Sequence, residues 1–338
     1  MQAAGGNGDA AEAAGAARAG FFCRLFDARG HAQAISQCSL AACQPARDTL
    51  AWVDLCDPSD EQVDAVWAAW KLPQAARPFL DGGSVPEVGQ NEAFFWVRAV
   101  VAGGGDSKDR VNGVVLVCVA GADRVVTFRR EPVAFLEEMR TQQPGRVGVL
   151  GAESFVATVL DRLLGSYFKA IDEHELAIER LEVSILGKGA CDALKELQRL
   201  RRWASRLRRM LAPHRVVFGA MSRPDFRPDE GREADRHFNA LNMRFERALD
   251  MVENARDQVL GSFELFSNQT ALRTNQAMRV LTFVTVVTGL MATIVGALGM
   301  NFGAGLFDSG DAGFYAALAG LVAMGLGAFV LGRRQHWF

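Results

Sequence analysis

The 338-residue chain lacks charge over two long stretches near its carboxyl end. No Asp, Glu, Lys or Arg occurs from 280 to 307 or from 312 to 332, stretches of 28 and 21 residues. A helix of about 20 apolar residues spans the hydrocarbon core of a bilayer. Two membrane-spanning helices are therefore predicted, which excludes a simple soluble enzyme. The charge carried by the first 279 residues excludes an all-membrane protein.

Paired cysteines, catalytic motifs and an excess of either charge are also missing. The net charge of −2 gives no basic field for nucleic acid, so we expect no nucleic-acid partner. The six cysteines form no C-x-x-C pair, which favours reduced thiols in the cytoplasm over a disulfide or metal framework. No phosphate-binding glycine loop, nucleophile elbow or metal-ligand pair occurs. We therefore expect a protein that is not an enzyme and holds no cofactor.

Proline is absent from the last third of the chain, because all ten prolines lie at or before Pro228. Nothing therefore obliges a helix to break between 231 and 300, and Gly261 is tolerable in its interior. A single helix over this range would be about 100 Å long. Such a length is typical of a stalk that runs into a membrane or of a coiled assembly.

The amino-terminal half predicts a tail followed by an α/β domain. Residues 1–20 are rich in Ala and Gly, show no signal peptide and predict a disordered tail. Residues 21–151 predict a cytoplasmic α/β domain with some antiparallel pairing, and a hairpin loop over 103–110. Its β-type runs, punctuated by Gly and Pro, lie at 51–55, 93–101, 111–119 and 124–128. Residues 59–71 predict a helix that Ser59 caps.

The remainder predicts a cytoplasmic helical region and stalk over 152–275 and a membrane hairpin over 276–338. A first helix, from about 152, carries an acidic face between Asp172 and Glu182. A second, over 191–211, carries Arg199, Arg201, Arg202, Arg206, Arg208 and Arg209. We expect this arginine face to be solvated and paired with the acidic helix, with membrane-surface contact as the alternative. The absence of an aromatic platform disfavours nucleic acid.

Charges around the hairpin predict its orientation. Basic residues flank the spans, at Arg273, Arg279, Arg333 and Arg334, whereas the connection between them carries only Asp308 and Asp311. The positive-inside rule then places both termini in the cytoplasm and the loop outside. The two aspartates either concentrate cations at an outer mouth or are ordinary solvated residues.

Two spans cannot enclose a pore, so the hairpin is either an anchor or one of several copies around an axis. One face of the first span is small and partly polar: Asn275, Met278, Thr282, Thr285, Gly289, Ala292, Gly296 and Gly299. Periodicity leaves open whether this face lines a pore or packs against another helix. Neither span contains an ionisable residue, which disfavours a proton relay and leaves hydroxyls, amides and carbonyls to meet an ion.

Gly299-Met300-Asn301 stands at the end of the first span, and a basic and aromatic end follows the second span from Arg333 to Phe338. By these motifs the carboxyl-terminal segment resembles the CorA superfamily of divalent-cation transporters, including its ZntB-like branch. Upstream, Trp52-Val53-Asp54-Leu55, Val85-Pro86-Glu87 and the segment 125–132 resemble further family segments, so coverage extends over about 50–338. The resemblance implies a funnel-shaped homopentamer in the inner membrane, with an α/β cytoplasmic domain, a long stalk helix and a pore lined by the first span.

By this resemblance, Gly299, Met300 and Asn301 are the selectivity motif, and Asn301 binds the hydrated metal cation at the outer mouth. The implied pore-lining residues, together with two threonines from the periodicity, are Asn275, Met278, Leu281, Thr282, Thr285, Gly289, Ala292 and Gly296. Asp308 and Asp311 would attract cations in the outer loop.

Departures from the family pattern leave the preferred ion open among Mg²⁺, Zn²⁺, Co²⁺ and Ni²⁺. Leu290 stands where the family usually has proline, and Gly289 replaces a bulky residue of the constriction. The glycine-rich loop after the motif is similar to the zinc branch, whereas Met300 matches the magnesium branch. The prediction is thus a divalent-cation channel or carrier, and the alternative is a membrane-anchored helical scaffold or metal sensor without transport.

Overall fold

A computed structural model describes residues 21–26, 32–34, 49–81, 83–104, 111–141, 151–187, 192–226, 232–300 and 311–334. The predicted tail, most of the 103–110 loop, Asn301, Asp308 and the last four residues lie outside this part. The described chain divides into two compact units. One comprises Met1–Val183 with Leu194–Gly261, and the other comprises Ser184–Ala193 with Ser262–Phe338.

Seven strands form one sheet in the first unit. They are β1 (Phe21–Phe26), β2 (Ala32–Ala34), β3 (Leu50–Cys56), β4 (Glu87–Gln90), β5 (Phe95–Gly104), β6 (Val111–Ala120) and β7 (Arg124–Arg129). Their order is β2-β1-β3-β7-β6-β5-β4, in which β3 and β7 pair in parallel and the other neighbours are antiparallel. The four predicted runs correspond to β3, β5, β6 and β7, so the α/β prediction with antiparallel pairing is confirmed.

Eight α-helices are described. They are α1 (Asp60–Trp70), α2 (Pro78–Asp81), α3 (Ala134–Thr141), α4 (Ala152–Leu186), α5 (Ala193–Leu211), α6 (Arg215–Met221), α7 (Arg232–Leu298) and α8 (Asp311–Arg334). Helix α1 begins as predicted: Ser59 Oγ accepts from Gln62 N, and Gln62 Oε1 accepts from Ser59 N, which forms a capping box. The continuous helix predicted for 231–300 is confirmed by α7.

The sheet is covered on both faces because its strands alternate two sets of apolar side chains. Ala51, Val53 and Leu55 point to a cluster that includes Val66 and Trp70 of α1. Trp52, between them, points to the opposite cluster, which contains buried residues of α4, α5, α6 and α7. The first unit is therefore a sheet between α1 and a helical layer.

A buried ionic cluster joins β3 and β7 to α3. Asp54, fully buried, accepts from Arg129 at 3.0 Å and from Arg140 at 2.6 Å, and its other oxygen accepts from Thr127 Oγ1 at 2.7 Å. Glu137 accepts from Arg129 at 2.5 Å. Each carboxylate thus opposes a guanidinium, which a buried charge requires.

A buried histidine completes the open edge of β5. Strand β4 pairs only as far as Arg98, so no strand among the described residues pairs with Val100 on that side. His214 Nε2 accepts from Val100 N at 2.9 Å, and Tyr167 OH donates to Val100 O at 2.8 Å. Burial lowers the pKa of His214 to about 4 and raises the pKa of Tyr167, so both stay neutral near pH 7.

The arginine face of α5 departs from its predicted pairing. Arg199 binds Glu196 on its own helix, and Arg208 binds Glu253 of α7 at 3.2 Å. Arg201, Arg202, Arg206 and Arg209 form no ion pair with the acidic face of α4, or with any other residue, in the part of the chain that the structure describes. The predicted pairing is therefore wrong for these four, whose side chains line a groove together with Arg256 of α7.

Candidate functional site

The candidate site lies on α7 and α8 in the second unit. These are the two helices, among the described residues, that are long and apolar enough to cross a membrane. The predicted spans, 280–300 and 314–331, fall within or at the end of them. Both helices lack ionisable residues over their apolar lengths, so any polar pathway must use hydroxyl, amide or backbone groups.

One face of α7 packs against α8. Its half-buried residues in this region recur at helical spacing and are large and apolar: Val280, Phe283, Val287, Met291, Ile294 and Leu298. At 100° per residue they share an arc of about 80°. We call this the packing face of α7.

Helix α8 meets the packing face with small residues. Its half-buried or buried positions are Gly313, Ala317, Leu321, Gly325, Ala328 and Gly332. A Cβ atom placed on Gly325 would lie 3.9 Å from Met291 Cε, so the two helices are already in close contact there. Small residues permit this approach of two helices in a bilayer. The small residues of α8 therefore supply the close contact with the packing face of α7.

The predicted pore-lining residues lie on the other side of α7. At 100° per residue, all eight fall within an arc of about 120°. They are Asn275, Met278, Leu281, Thr282, Thr285, Gly289, Ala292 and Gly296, and all are exposed. We call them the uncovered face. Met278 is 61% exposed and Leu281 is 66% exposed, although both are apolar.

Hydroxyl groups on the uncovered face present oxygen lone pairs outward. Thr285 Oγ1 donates its hydrogen to Leu281 O at 2.8 Å, and Thr293 Oγ1 donates to Gly289 O at 2.9 Å. A hydroxyl that has given its hydrogen to the helix backbone keeps two acceptor positions. Thr293 was missed in the sequence analysis, although its spacing of four residues from Gly289 places it at the margin of the same face.

The same face continues toward the amino end of α7. A groove of about 600 Å³ follows Phe263, Phe266, Ser267, Thr270, Ala271, Thr274, Asn275 and Met278. Thr270 and Thr274 also donate to backbone carbonyls one turn earlier. The predicted set therefore covers only part of a longer stripe that carries hydroxyl groups.

The selectivity motif is described only up to its second residue. Helix α7 ends at Leu298, and the backbone of Gly299 donates to Val295 O at 3.0 Å and that of Met300 to Ala297 O at 3.3 Å. Met300 is 53% exposed. Asn301 and Asp308 lie outside the described residues, whereas Asp311 is the exposed first residue of α8. The roles of this motif stay predictions.

Basic residues gather near the other end of the hairpin. Arg333 lies beside Val280 in the groove between α7 and α8, and Arg334 follows it. Arg273 lies about two helical turns before the apolar segment that begins at Val280. Its guanidinium group donates to the carbonyl oxygens of Ile185 and Gly187. No group of three or more His, Cys, Asp or Glu side chains able to hold a metal occurs among the described residues.

Comparison with known proteins shows which proteins this chain resembles. A family model of CorA-like Mg²⁺ transporter proteins matches residues 47–333. The chain is 21% identical over 295 residues to the cobalt/magnesium transport protein CorA of Methanocaldococcus jannaschii, covering 85% of this chain and 91% of that protein. It is 26% identical over 272 residues to the divalent cation transporter CmaX of Pseudomonas aeruginosa, covering 79% and 78%. The match to the CorA protein of Thermotoga maritima, 26% identical, spans only 43% of that protein.

Solved structures share the fold. The complete CorA magnesium transporter from M. jannaschii superposes with a TM-score of 0.70 at 20% identity, covering 94% of this chain and 98% of that one. Full-length CmaX gives a TM-score of 0.70 at 22% identity, covering 94% and 97%. The cytoplasmic domain of ZntB from Vibrio parahaemolyticus gives 0.60 at 11% identity, covering 75% and 99%.

Proposed function

The chain belongs to the CorA family of Mg²⁺-transporter-like proteins, and from this premise we propose that it conducts divalent metal cations across the inner membrane. The proposed path runs along the uncovered face of α7. One observation carries the proposal: all eight predicted residues are exposed on the side of α7 away from the packing face that contacts α8. A face of this kind needs further copies of the chain to cover it in a bilayer.

The chemistry of the uncovered face suits a cation that keeps most of its water. It carries no carboxylate, so it cannot strip the hydration shell of a divalent ion by direct charge contact. Hydroxyl oxygens such as Thr285 Oγ1, whose hydrogen is donated to the backbone, accept hydrogen bonds from hydrating water. We propose that Asn301, directly after Gly299 and Met300, binds the hydrated ion at the outer mouth, with Asp308 and Asp311 raising its local concentration.

A closed ring of copies is part of the proposal, because the uncovered face of one hairpin cannot enclose a path for ions. We propose a homopentamer whose copies place that face around a common axis, with both termini in the cytoplasm. Arg333 and Arg334 at the end of α8 support this orientation by the positive-inside rule.

The test is metal uptake into proteoliposomes containing the full chain, with Mg²⁺, Zn²⁺, Co²⁺ and Ni²⁺ compared. The names of the relatives favour magnesium and cobalt, whereas the glycine-rich loop favours zinc, and uptake of each metal decides between them. Asn301→Ala is expected to abolish uptake of the preferred ion.

A matched pair of variants tests the pathway itself. Gly296→Leu adds a bulky side chain to the uncovered face, and Gly327→Leu adds the same side chain to α8. A Cβ at either glycine meets no heavy atom within 4 Å, so each helix accommodates the change. Uptake should fall to the level of empty liposomes in Gly296→Leu and persist in Gly327→Leu. Correctly inserted, oligomeric protein with no uptake of any metal would instead indicate the anchored scaffold or sensor.

A further inference from the structure

A groove lined by arginine lies between α5 and α7 in the first unit, apart from the proposed ion path. It encloses about 830 Å³, a size typical of small-molecule sites. Six of its eight lining residues are Arg201, Arg202, Arg206, Arg208, Arg209 and Arg256. Such a density of one charge is unusual in a chain whose net charge is −2.

Most of this charge is uncompensated. Arg208 forms an ion pair with Glu253 at 3.2 Å. In the described part of the chain, none of the other five arginines forms an ion pair. The other five guanidinium groups are exposed and repel one another across the groove. An anion with several charges would relieve this repulsion more effectively than separate monovalent ions.

The lining also indicates the shape of that anion. Its two remaining members, Gln198 and Ser205, are polar, so the described lining offers no aromatic or aliphatic wall for a nucleobase. Guanidinium groups bind phosphate oxygens through paired, charge-assisted hydrogen bonds. Arg202 and Arg209 lie two turns of α5 apart, or about 10 Å along the helix, which is the reach of a short phosphate chain rather than of one phosphate.

We propose that this arginine groove binds an anion with a chain of phosphate groups, such as a triphosphate, and recognises the phosphates alone. A nucleoside triphosphate and an inorganic polyphosphate share this chemistry, and the groove should not distinguish them. The binding is independent of the proposed transport, so either can fail without the other.

The experiment is calorimetric titration of the full chain in detergent with sodium tripolyphosphate, ATP or orthophosphate, at physiological ionic strength and with EDTA present. We expect tripolyphosphate and ATP to bind with similar affinity and orthophosphate to bind far more weakly. The double variant Arg202→Gln/Arg209→Gln should lose at least about tenfold in affinity for tripolyphosphate, because it removes two charge-assisted contacts.

The matched control is Arg180→Gln/Arg236→Gln, which removes the same charge at exposed positions on α4 and α7 outside the groove. It should bind tripolyphosphate as the unmodified chain does. An equal loss in both double variants would mean non-specific attraction and would overturn the proposal. Absence of tripolyphosphate binding, or a strong preference for ATP, would overturn it as well. A different pair of results would assign the groove another role. If the unmodified chain binds no phosphate, and the groove variant alone loses the mass of the oligomer, the groove is an interface with the acidic face of another copy.

Discussion

Among single residues, the buried carboxylate of Asp54 makes the sharpest prediction about stability. Asp54→Asn removes the buried carboxylate that the guanidinium groups of Arg129 and Arg140 share, and leaves them only the half-buried Glu137. Breaking a buried ion pair by removing one partner typically costs about 3–5 kcal/mol. The midpoint of thermal unfolding of the full chain in detergent, followed by tryptophan fluorescence, should therefore fall markedly. Glu246→Gln, which breaks the exposed pair with Arg215, should leave the midpoint almost unchanged.

His214 makes a prediction about pH. Its pKa is about 4 in the folded chain and 6.5 in the unfolded chain, so below pH 6.5 the unfolded state binds the extra proton. Its stabilising contribution is complete above pH 6.5 and is lost as the pH falls toward 4, by about 3 kcal/mol in all. Burial lowers the pKa of His174 as well, which adds loss of the same sign.

The pH prediction is checked by urea unfolding of the full chain at steps between pH 7 and pH 4. His214→Gln keeps an acceptor for Val100 N but cannot titrate, so its free energy of unfolding should vary less with pH over this range. The same change at exposed His237 serves as the control. An unchanged pH dependence in His214→Gln would contradict the assignment of a neutral, buried imidazole.

Contacts between residues that are distant in the sequence could not be predicted from the sequence. Asp54 was noted only as part of a resembling segment, because nothing local reveals that Arg129 and Arg140 converge on it from positions more than 70 residues away. The arginines of α5 were assigned to the acidic helix that precedes them in sequence, since proximity in sequence was the available guide. The fold turns four of them toward α7 instead.

At the scale of elements, the contact between α7 and α8 makes a prediction about packing. A Cβ on Gly325 would make an ordinary contact with Met291, at 3.9 Å, so Gly325→Ala should be tolerated. Gly325→Leu overfills the contact, and overpacking typically costs about 1–3 kcal/mol. The midpoint of thermal unfolding in detergent should fall for Gly325→Leu and hold for Gly327→Leu, which lies clear of α7. Equal midpoints for the two leucine variants would mean that the helices do not pack as described.

Elements with long, periodic patterns were the ones that the sequence predicted well. The 67-residue α7, the helices α4 and α5, and four strands with continuous apolar runs were all anticipated. Strands β1, β2 and β4 were not anticipated. Strands β2 and β4 lie at the two edges of the sheet and are too short to show a period, and the sequence FFCRLF of β1 does not alternate strictly between apolar and polar residues. In β4, Gly89 is required by tertiary structure alone: a Cβ there would lie 2.4 Å from Trp96 Nε1 on the neighbouring strand.

At the scale of the whole molecule, the uncovered face of α7 carries the remaining argument. The periodicity of the sequence predicts that these residues share one face of the helix. Periodicity does not predict the role of that face, because small residues serve helix packing as well as a pore. The packing face supports the pore interpretation, because α8 already occupies the bulky side of α7. In the proposed assembly, copies of the chain cover the face that a single chain leaves exposed, around an axis of closed symmetry.

Assembly around the uncovered face makes the last prediction. In a background with the six native cysteines replaced by serine, Thr285→Cys places a thiol on the uncovered face and Val287→Cys places one on the packing face. Mild oxidation in membranes should link Thr285→Cys chains to one another, because equivalent residues approach each other around the axis. Val287→Cys chains should stay unlinked, since that side chain faces α8 of its own chain. Native mass spectrometry of the full chain should give five chains, and a monomeric mass with no Thr285→Cys linkage would show that the hairpin encloses no pore.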